Sequence, residues 1–212
     1  MNDNTKIKLF LDADDTILQS SETIIKMLNE KYNINPPKTV EDIGDWGYRS
    51  IYKNLSSAEV DQLYESDIFF NDVAINPVFW DFYTKYRDQL DISVVTKGTR
   101  VNIEKKKKYL DEAFNNQYTY YGIVLVKDEF NRVIRNYDKS KIDMSGGIQI
   151  DDRADCLENT NAAVKILIRN GERYWNKPIL CANMPNNVYI VNNWNEAIEI
   201  ILFMYNNPTL FE

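Results

Sequence analysis

Histidine is absent from this chain of 212 residues, and glycine (7), proline (6) and cysteine (2) are scarce. Without an imidazole to serve as acid, base or ligand, a zinc site is disfavoured, and any catalysis must run on carboxylates, lysine, tyrosine, serine or threonine. The two cysteines, Cys156 and Cys181, form no C-x-x-C pair, which argues against a redox dithiol and fits a reducing, cytoplasmic setting. No apolar run is long enough to cross a bilayer, and the opening MNDNTKIK lacks the apolar core of a signal peptide. The expectation is therefore a cytoplasmic protein with no membrane partner. Basic residues are also short, 25 Lys and Arg against 32 Asp and Glu. That balance opposes a grip on polymeric nucleic acid through its phosphates, but it leaves room for a small phosphorylated ligand held through a metal.

The rest of the composition is that of an ordinary globular protein, 44% hydrophobic and 27% charged, long enough for one substantial core with a modest insertion. Ile7, Leu9, Phe10 and Leu11 form a nearly continuous apolar run, the pattern of a strand buried on both faces of a parallel sheet. It stops at Asp12, Asp14, Asp15 and Thr16. Like charges buried side by side are costly unless a cation or donors compensate them, which makes a metal ion the candidate companion.

Ser20 or Ser21 can cap a helix running to about Tyr32, ended by Pro36 and Pro37. Residues 40–75 show no strand period and read as short helices and loops, including the segment IGDWGY around Trp46 and the pair Phe69 and Phe70. Such a block, placed straight after the first strand, predicts a small helical cap over the carboxyl edge of the sheet. Asn76 before Pro77 starts a further helix to about Leu90. Strands follow at 91–96, 122–126, up to Asp151 and Asp152, at 164–168 and at 188–191. Helices are predicted at 99–114, at 155–163 and after Asn192 or Asn193, and residues 127–137 read as irregular or as a surface hairpin. The lysine run 105–108 reads as a solvated helix face. The alternation predicts an α/β, Rossmann-like, mostly parallel sheet flanked by helices. Its domains would be residues 1–16 with 77–212 as core and residues 17–76 as cap.

Three of these strands end in chemistry: Asp12 and Asp14, Thr96, and the pair Asp151 and Asp152. In a parallel sheet those ends face one way, toward the crevice where ligands bind. Two pairs of carboxylates, a hydroxyl and a nearby lysine suit phosphoryl transfer. A hard divalent ion with oxygen ligands, Mg²⁺ above all, neutralises phosphate charge while Lys and Thr hold its oxygens. A calcium loop of the helix–loop–helix kind is the rival. It needs a preceding helix and a Glu at the twelfth position, whereas a strand precedes Asp12 and the twelfth residue is Thr23.

DADDT resembles the D-x-D-x-T signature of the haloacid dehalogenase superfamily of phosphatases. Thr96, a lysine near Lys139 and the Asp151 and Asp152 pair match that family's later motifs in order. Within it, IQIDDR and YESDIFFNDV resemble segments of the 5′(3′)-deoxyribonucleotidases, and VNNWNEA is similar to the closing segment of bacterial and phage members. The resemblance implies a catalytic set of Asp12 as nucleophile, Asp14 as proton-transfer acid, Thr96 on a phosphate oxygen and Lys139. Mg²⁺ would be held by Asp12, the backbone of Asp14 and one of Asp151 or Asp152, with Asp152 favoured. The phosphate lysine stays open among Lys139, Lys141 and Lys97, and Asp15 stands where many relatives have glycine. Substrate contacts would come from Thr96, Lys97, Lys141, Phe69, Phe70 and Trp46, since flat rings accept a base or a sugar face. The substrate implied is a (deoxy)nucleoside monophosphate. A nucleic-acid 3′-phosphatase and a catalytically silent nucleotide-binding relative are the alternatives, and a homodimer stays open.

Overall fold

The first strand, β1 (Ile7–Leu11), buries every side chain except that of Lys8, as its apolar run requires. In the computed structural model, which describes residues 6–45, 47–128, 133–135, 138–169, 174–176 and 187–207, β1 stands inside a six-stranded sheet. Its partners are β2 (Leu90–Gly98), β3 (Thr119–Val124), β6 (Ile148–Asp151), β7 (Val164–Ile168) and β8 (Val188–Val191). Two further short strands, β4 (Val126–Lys127) and β5 (Val133–Arg135), pair antiparallel apart from the sheet, beginning one residue before the stretch 127–137, expected to be irregular or a surface hairpin.

The sheet order is β3-β2-β1-β6-β7-β8, and every neighbouring pair is parallel. The chain therefore moves outward from β1 through β2 to β3, then returns to β6 on the other side of β1. The crevice between β1 and β6 is the switch point of an open α/β sheet, where carboxyl-end loops diverge and leave room for a ligand. Asp12 follows β1 directly, and its amide donates to the Ile150 carbonyl of β6 at 2.9 Å. Asp151 closes β6 and Asp152 follows it. Both acidic pairs thus flank the same crevice.

Between β1 and β2 lie α1 (Ser20–Tyr32), α2 (Ser57–Glu65), α3 (Asp67–Asp72) and α4 (Pro77–Tyr86). Asn76 caps α4, its Oδ1 accepting from the amides of Val78 and Phe79 with Pro77 in the first turn, as predicted. The chain enters and leaves α1–α3 at one place. The Gln19 amide donates to the Ala74 carbonyl at 2.9 Å, and the Asn76 amide donates to the Ile17 carbonyl at 2.8 Å. Buried side chains of the helical stretch, such as Leu28, Leu63 and Phe69, share one contiguous apolar cluster with Leu9, Leu11 and Ile150 of the sheet.

The later helices are α5 (Arg100–Ala113), α6 (Ala154–Leu157) and α7 (Trp194–Asn206). Thr99 and Asn193 cap α5 and α7 through their side chains. Two predicted elements differ. β3 begins three residues earlier than expected, because the register sets Thr96 opposite Gly122 and carries the pairing back to Thr119. α6 is one turn where a helix to residue 163 was predicted. Asn159, Thr160 and Asn161 spend their side chains on Asp138, Gln149 and the Met144 amide instead, which offers the backbone an alternative to the helical ladder. No described helix is long and apolar enough to cross a membrane.

Candidate active site

Oxygens of Asp12, Asp151 and Asp152 lie within 4.8 Å of one another. All three residues are buried, at 9%, 0% and 4% exposure. The Lys139 ammonium bridges two of them, 2.5 Å from Asp12 Oδ1 and 2.6 Å from Asp151 Oδ2. Lys139 opens a 3₁₀ turn, Lys139–Lys141, whose start is fixed by Asp138 Oδ1 accepting from the Ser140 amide. The turn buries Lys139 and leaves Lys141 exposed. Lys97, after Thr96 on β2, is half-buried, and its charge bears on Asp155 and Cys156 beyond β6. Of the three lysines, Lys139 is the one whose ammonium reaches Asp12.

The two carboxylates after β6 have different surroundings. Asp151 has both oxygens engaged, one by Lys139 and the other by the Arg153 amide at 3.0 Å. Asp152 accepts at Oδ2 from the indole N–H of Trp175 at 2.6 Å. Burial raises Asp152 well above the ordinary carboxylate range, helped by the charges of Asp15, Asp12 and Asp151. Burial also raises Asp12, to about 6; Lys139 pulls it down, while Asp151 and Asp14 push it up. For Lys139 burial opposes the charge, yet Asp12 and Asp151 outweigh it and hold the ammonium above the usual lysine range. Three close carboxyl groups around one bridging lysine set several hard oxygen donors against a single ammonium. That is the donor set of Mg²⁺ or Ca²⁺ rather than of a soft metal.

On the opposite flank of Asp12 stands a residue that the sequence reading placed in solvent. Lys106 lies in α5, on the face formed by Asn102, Ile103 and Leu110, and is fully buried. Its ammonium is 2.5 Å from Asp14 Oδ2 and 3.0 Å from Thr96 Oγ1. The second oxygen of Asp14 accepts from the Ser20 hydroxyl at 2.7 Å. The run 105–108 is therefore not uniformly solvated: Lys107 pairs along the helix with Asp111, whereas Lys106 points inward. The signal was the helical spacing Asn102, Ile103, Lys106, Leu110, hidden by three neighbouring lysines.

Ser20 and Ser21 also differ from their expected role. Gln19 occupies the cap position of α1 and makes no side-chain cap. The two serines sit inside the first turn and hold the acids: Ser20 bonds Asp14, and the Ser21 amide and hydroxyl both bond the Asp15 carboxylate. Asp15 thus caps α1 from outside. Its φ of 55° explains why glycine suits this position, since only glycine enters that region without a steric cost. Burial raises the Asp15 carboxyl to about 7, against its hydrogen bonds from Ser21. From Ser21 the polar chain runs into the helical stretch, through Tyr48 at 3.3 Å to Tyr64 at 2.7 Å.

The three aromatic residues expected to meet the substrate fall in different places. Phe69 is fully buried within the helical stretch, against Tyr64 and Phe70, so its ring packs in the core and is not presented at the carboxylates. Phe70 lines a separate cavity of about 520 Å³ with Tyr109, Lys105 and Lys108. Trp46 lies outside the described residues. A cavity of about 380 Å³ adjoins Asp152, lined also by Asp15, Thr16, Asn76, Arg169 and Asn176. Trp175, which sequence reasoning did not single out, carried no signal beyond its residue type. Cys156 is a buried free thiol raised by burial and by Asp151, which leaves it inert at neutral pH.

No protein-family model matches the chain, and no curated protein matches it. Solved structures do. A protein from Clostridium difficile assigned as a phosphatase superposes with a TM-score of 0.58 at 16% identity, over 92% of this chain and 98% of that one. A predicted phosphatase from Clostridium acetobutylicum gives 0.57 at 16% identity, over 93% and 98%. A protein from Bacillus subtilis assigned as a HAD-hydrolase and solved bound to magnesium gives 0.56 at 16% identity, over 92% and 98%. At these identities the likeness establishes the fold, the α/β fold of haloacid dehalogenase-type hydrolases. The acidic cluster then lies at the carboxyl end of the sheet in that fold.

Proposed function

We propose that the chain is a Mg²⁺-dependent phosphoric monoester hydrolase acting on nucleoside monophosphates. The observation that carries the reading is the convergence, across one crevice, of Asp12, Asp151 and Asp152 with Lys139 bridging the first two. Asp12 attacks phosphorus in line: its oxygen forms a bond to phosphorus as the bond to the leaving oxygen breaks. Asp14 gives a proton to that leaving oxygen, then takes one from the water that hydrolyses the aspartyl-phosphate, which regenerates Asp12 and frees inorganic phosphate. Thr96 donates to a non-bridging phosphate oxygen. Lys139 offsets the charge of Asp12 and Asp151 and remains close enough to meet the phosphoryl group.

The metal would be held by Asp12, the backbone carbonyl of Asp14 and Asp152. Asp152 is preferred over Asp151 because both oxygens of Asp151 already accept hydrogen bonds, whereas Asp152 has one oxygen outside its bond to Trp175. When bound, Mg²⁺ supplies charge neutralisation and orientation of the phosphoryl group. The nucleotide part of the reading is supported by the IQIDDR run and by the YESDIFFNDV stretch, whose likeness is to nucleotidases. An assay of phosphate release from nucleotides and sugar phosphates with Mg²⁺ tests it. Release from nucleoside monophosphates is expected, and none from any nucleotide overturns the substrate assignment. Asp12→Asn should abolish turnover with an unchanged circular-dichroism spectrum.

A further inference from the structure

Lysine is rarely buried without a purpose, and Lys106 is buried completely in the second turn of a helix. Both groups it touches carry roles in the proposed reaction, and the contact geometry constrains each of them. An ammonium only donates hydrogen bonds, so Thr96 Oγ1 must accept from Lys106 at 3.0 Å. The single hydroxyl hydrogen of Thr96 is then directed away from Lys106. Asp14 is held at both oxygens, by Lys106 at 2.5 Å and by the Ser20 hydroxyl at 2.7 Å. Its carboxyl plane is fixed by two elements, α5 and the first turn of α1, rather than by its own loop.

We propose that Lys106 is a positioning residue that aims the Asp14 carboxyl and the Thr96 hydroxyl hydrogen at the reacting phosphoryl group. The inference rests on the hydrolase reading and assigns it a residue outside the D-x-D, Thr, Lys and Asp–Asp motifs. An incoming phosphoryl group brings negative charge beside Lys106 as well as beside Asp14. The ammonium is then placed to contact both, while the Asp14 carboxyl keeps its orientation toward the leaving oxygen. In that step the phosphorus–oxygen bond of the ester breaks, the bond from Asp12 to phosphorus forms, and the proton moves from Asp14 to the leaving alkoxide. A purely structural lysine would fill the same space without affecting which leaving groups react.

The test uses that distinction. An alkyl phosphate needs its leaving oxygen protonated, while p-nitrophenyl phosphate expels a stabilised phenolate and hardly needs it. The quantity to measure is kcat/KM, which reports events up to departure of the leaving group, for the full-length protein and for Lys106→Met. The expected fall is on the order of 10²-fold for the alkyl ester and less than about tenfold for the aryl ester. Because both substrates see the same fraction of folded protein, the alkyl-to-aryl ratio is insensitive to partial misfolding. Lys106→Gln provides a second, polar variant that should show the same ratio change. In an Asp14→Asn background, Lys106→Met should leave the ratio where Asp14→Asn alone puts it. The inhibition constant of inorganic phosphate should rise about tenfold in Lys106→Met as Thr96 loses its orientation, a change of about 1.4 kcal/mol. An unchanged ratio, or a further fall in the Asp14→Asn background, overturns the inference for Asp14, and an unchanged phosphate constant overturns it for Thr96. If the unaltered protein hydrolyses neither ester, the hydrolase reading falls and the inference falls with it.

Discussion

The two flanks of Asp12 each hold a buried lysine, and they are built differently. Toward β6, Lys139 sits on a short turn and bridges two carboxylates, with side chains 2% exposed for Lys139, 11% for Asp12 and 1% for Asp151. Toward β2, Lys106 sits inside a regular helix and joins one carboxylate, Asp14 at 17%, to the neutral hydroxyl of Thr96. The first arrangement is dominated by charge: two acids compete for one ammonium, and a third acid, Asp152, stands beside them with a tryptophan N–H as its hydrogen-bond donor. The second is dominated by direction, since its donors and acceptors are matched, with Thr96 fully buried and Asp14 nearer to solvent. The comparison teaches that a lysine facing surplus acid suits a cation site, whereas a lysine facing balanced partners suits alignment.

The largest expected break of this comparison is loss of the lysines themselves. Lys139→Met leaves two buried carboxylates without their ammonium and should cost about 3–5 kcal/mol, read from urea unfolding at neutral pH. Lys106→Met leaves one half-buried carboxylate that still has Ser20, and about 1–3 kcal/mol is expected. Equal losses would erase the distinction drawn between the flanks.

The next effect should have the opposite sign. Asp152→Asn removes a carboxylate held near Asp12, Asp151 and Asp15, so the metal-free protein should gain about 1–2 kcal/mol at pH 7. The same variant should lose most of the thermal stabilisation that Mg²⁺ confers on the unaltered protein. A destabilised metal-free variant would show that Trp175 already compensates Asp152 in full.

Proton linkage gives a smaller effect on the β1 side. Asp12 at about 6 and Asp15 at about 7 are raised above the unfolded value of 3.8. Between pH 4 and 7 the folded chain binds more protons than the unfolded one, so stability falls as pH rises through that window. Surface acids such as the exposed Asp67 and the partly buried Asp111 are lowered by Lys105 and Lys107 respectively, and they contribute the other way below pH 4. Without metal, the melting temperature should therefore drop by about 5 °C from pH 5 to pH 7.5, and excess Mg²⁺ should remove the drop. A metal-free melting temperature that rises over this range would contradict the charge-dominated description of the β6 flank.

The smallest effect concerns Thr16, whose buried hydroxyl makes no hydrogen bond among the described residues. Thr16→Val keeps the shape and removes the unsatisfied group, and a gain of up to about 1 kcal/mol is expected in the same unfolding measurement.

Most of the sheet could be read in advance, because a strand buried on two faces writes itself as an apolar run, and Ile7–Leu11, 91–96 and 164–168 are such runs. The acids at their ends were legible for the same reason: a carboxylate interrupting an apolar stretch is conspicuous. What escaped was everything set by a partner distant in sequence. Lys106 meets Asp14 from 92 residues away, and its run of lysines looks the same whether the middle ones face water or the core. Ser20 and Ser21 carried the composition of a helix cap and were recruited by acids earlier in the chain. Phe69 was conspicuous as an aromatic, but burial rather than ring chemistry decided its place. α6 ended early because Asn159, Thr160 and Asn161 found partners before β6 and within it.

The paired linkers at Gln19–Ala74 and Ile17–Asn76 have a consequence for cooperativity. Because α1–α3 leave and rejoin the sheet through one pair of hydrogen bonds, and their apolar side chains belong to the same cluster as Leu9 and Ile150, the insertion has no apolar core separate from that of the sheet. Heat should not melt the helical stretch as a separate calorimetric peak ahead of the sheet. The sheet and the helical stretch should lose their structure in a single transition.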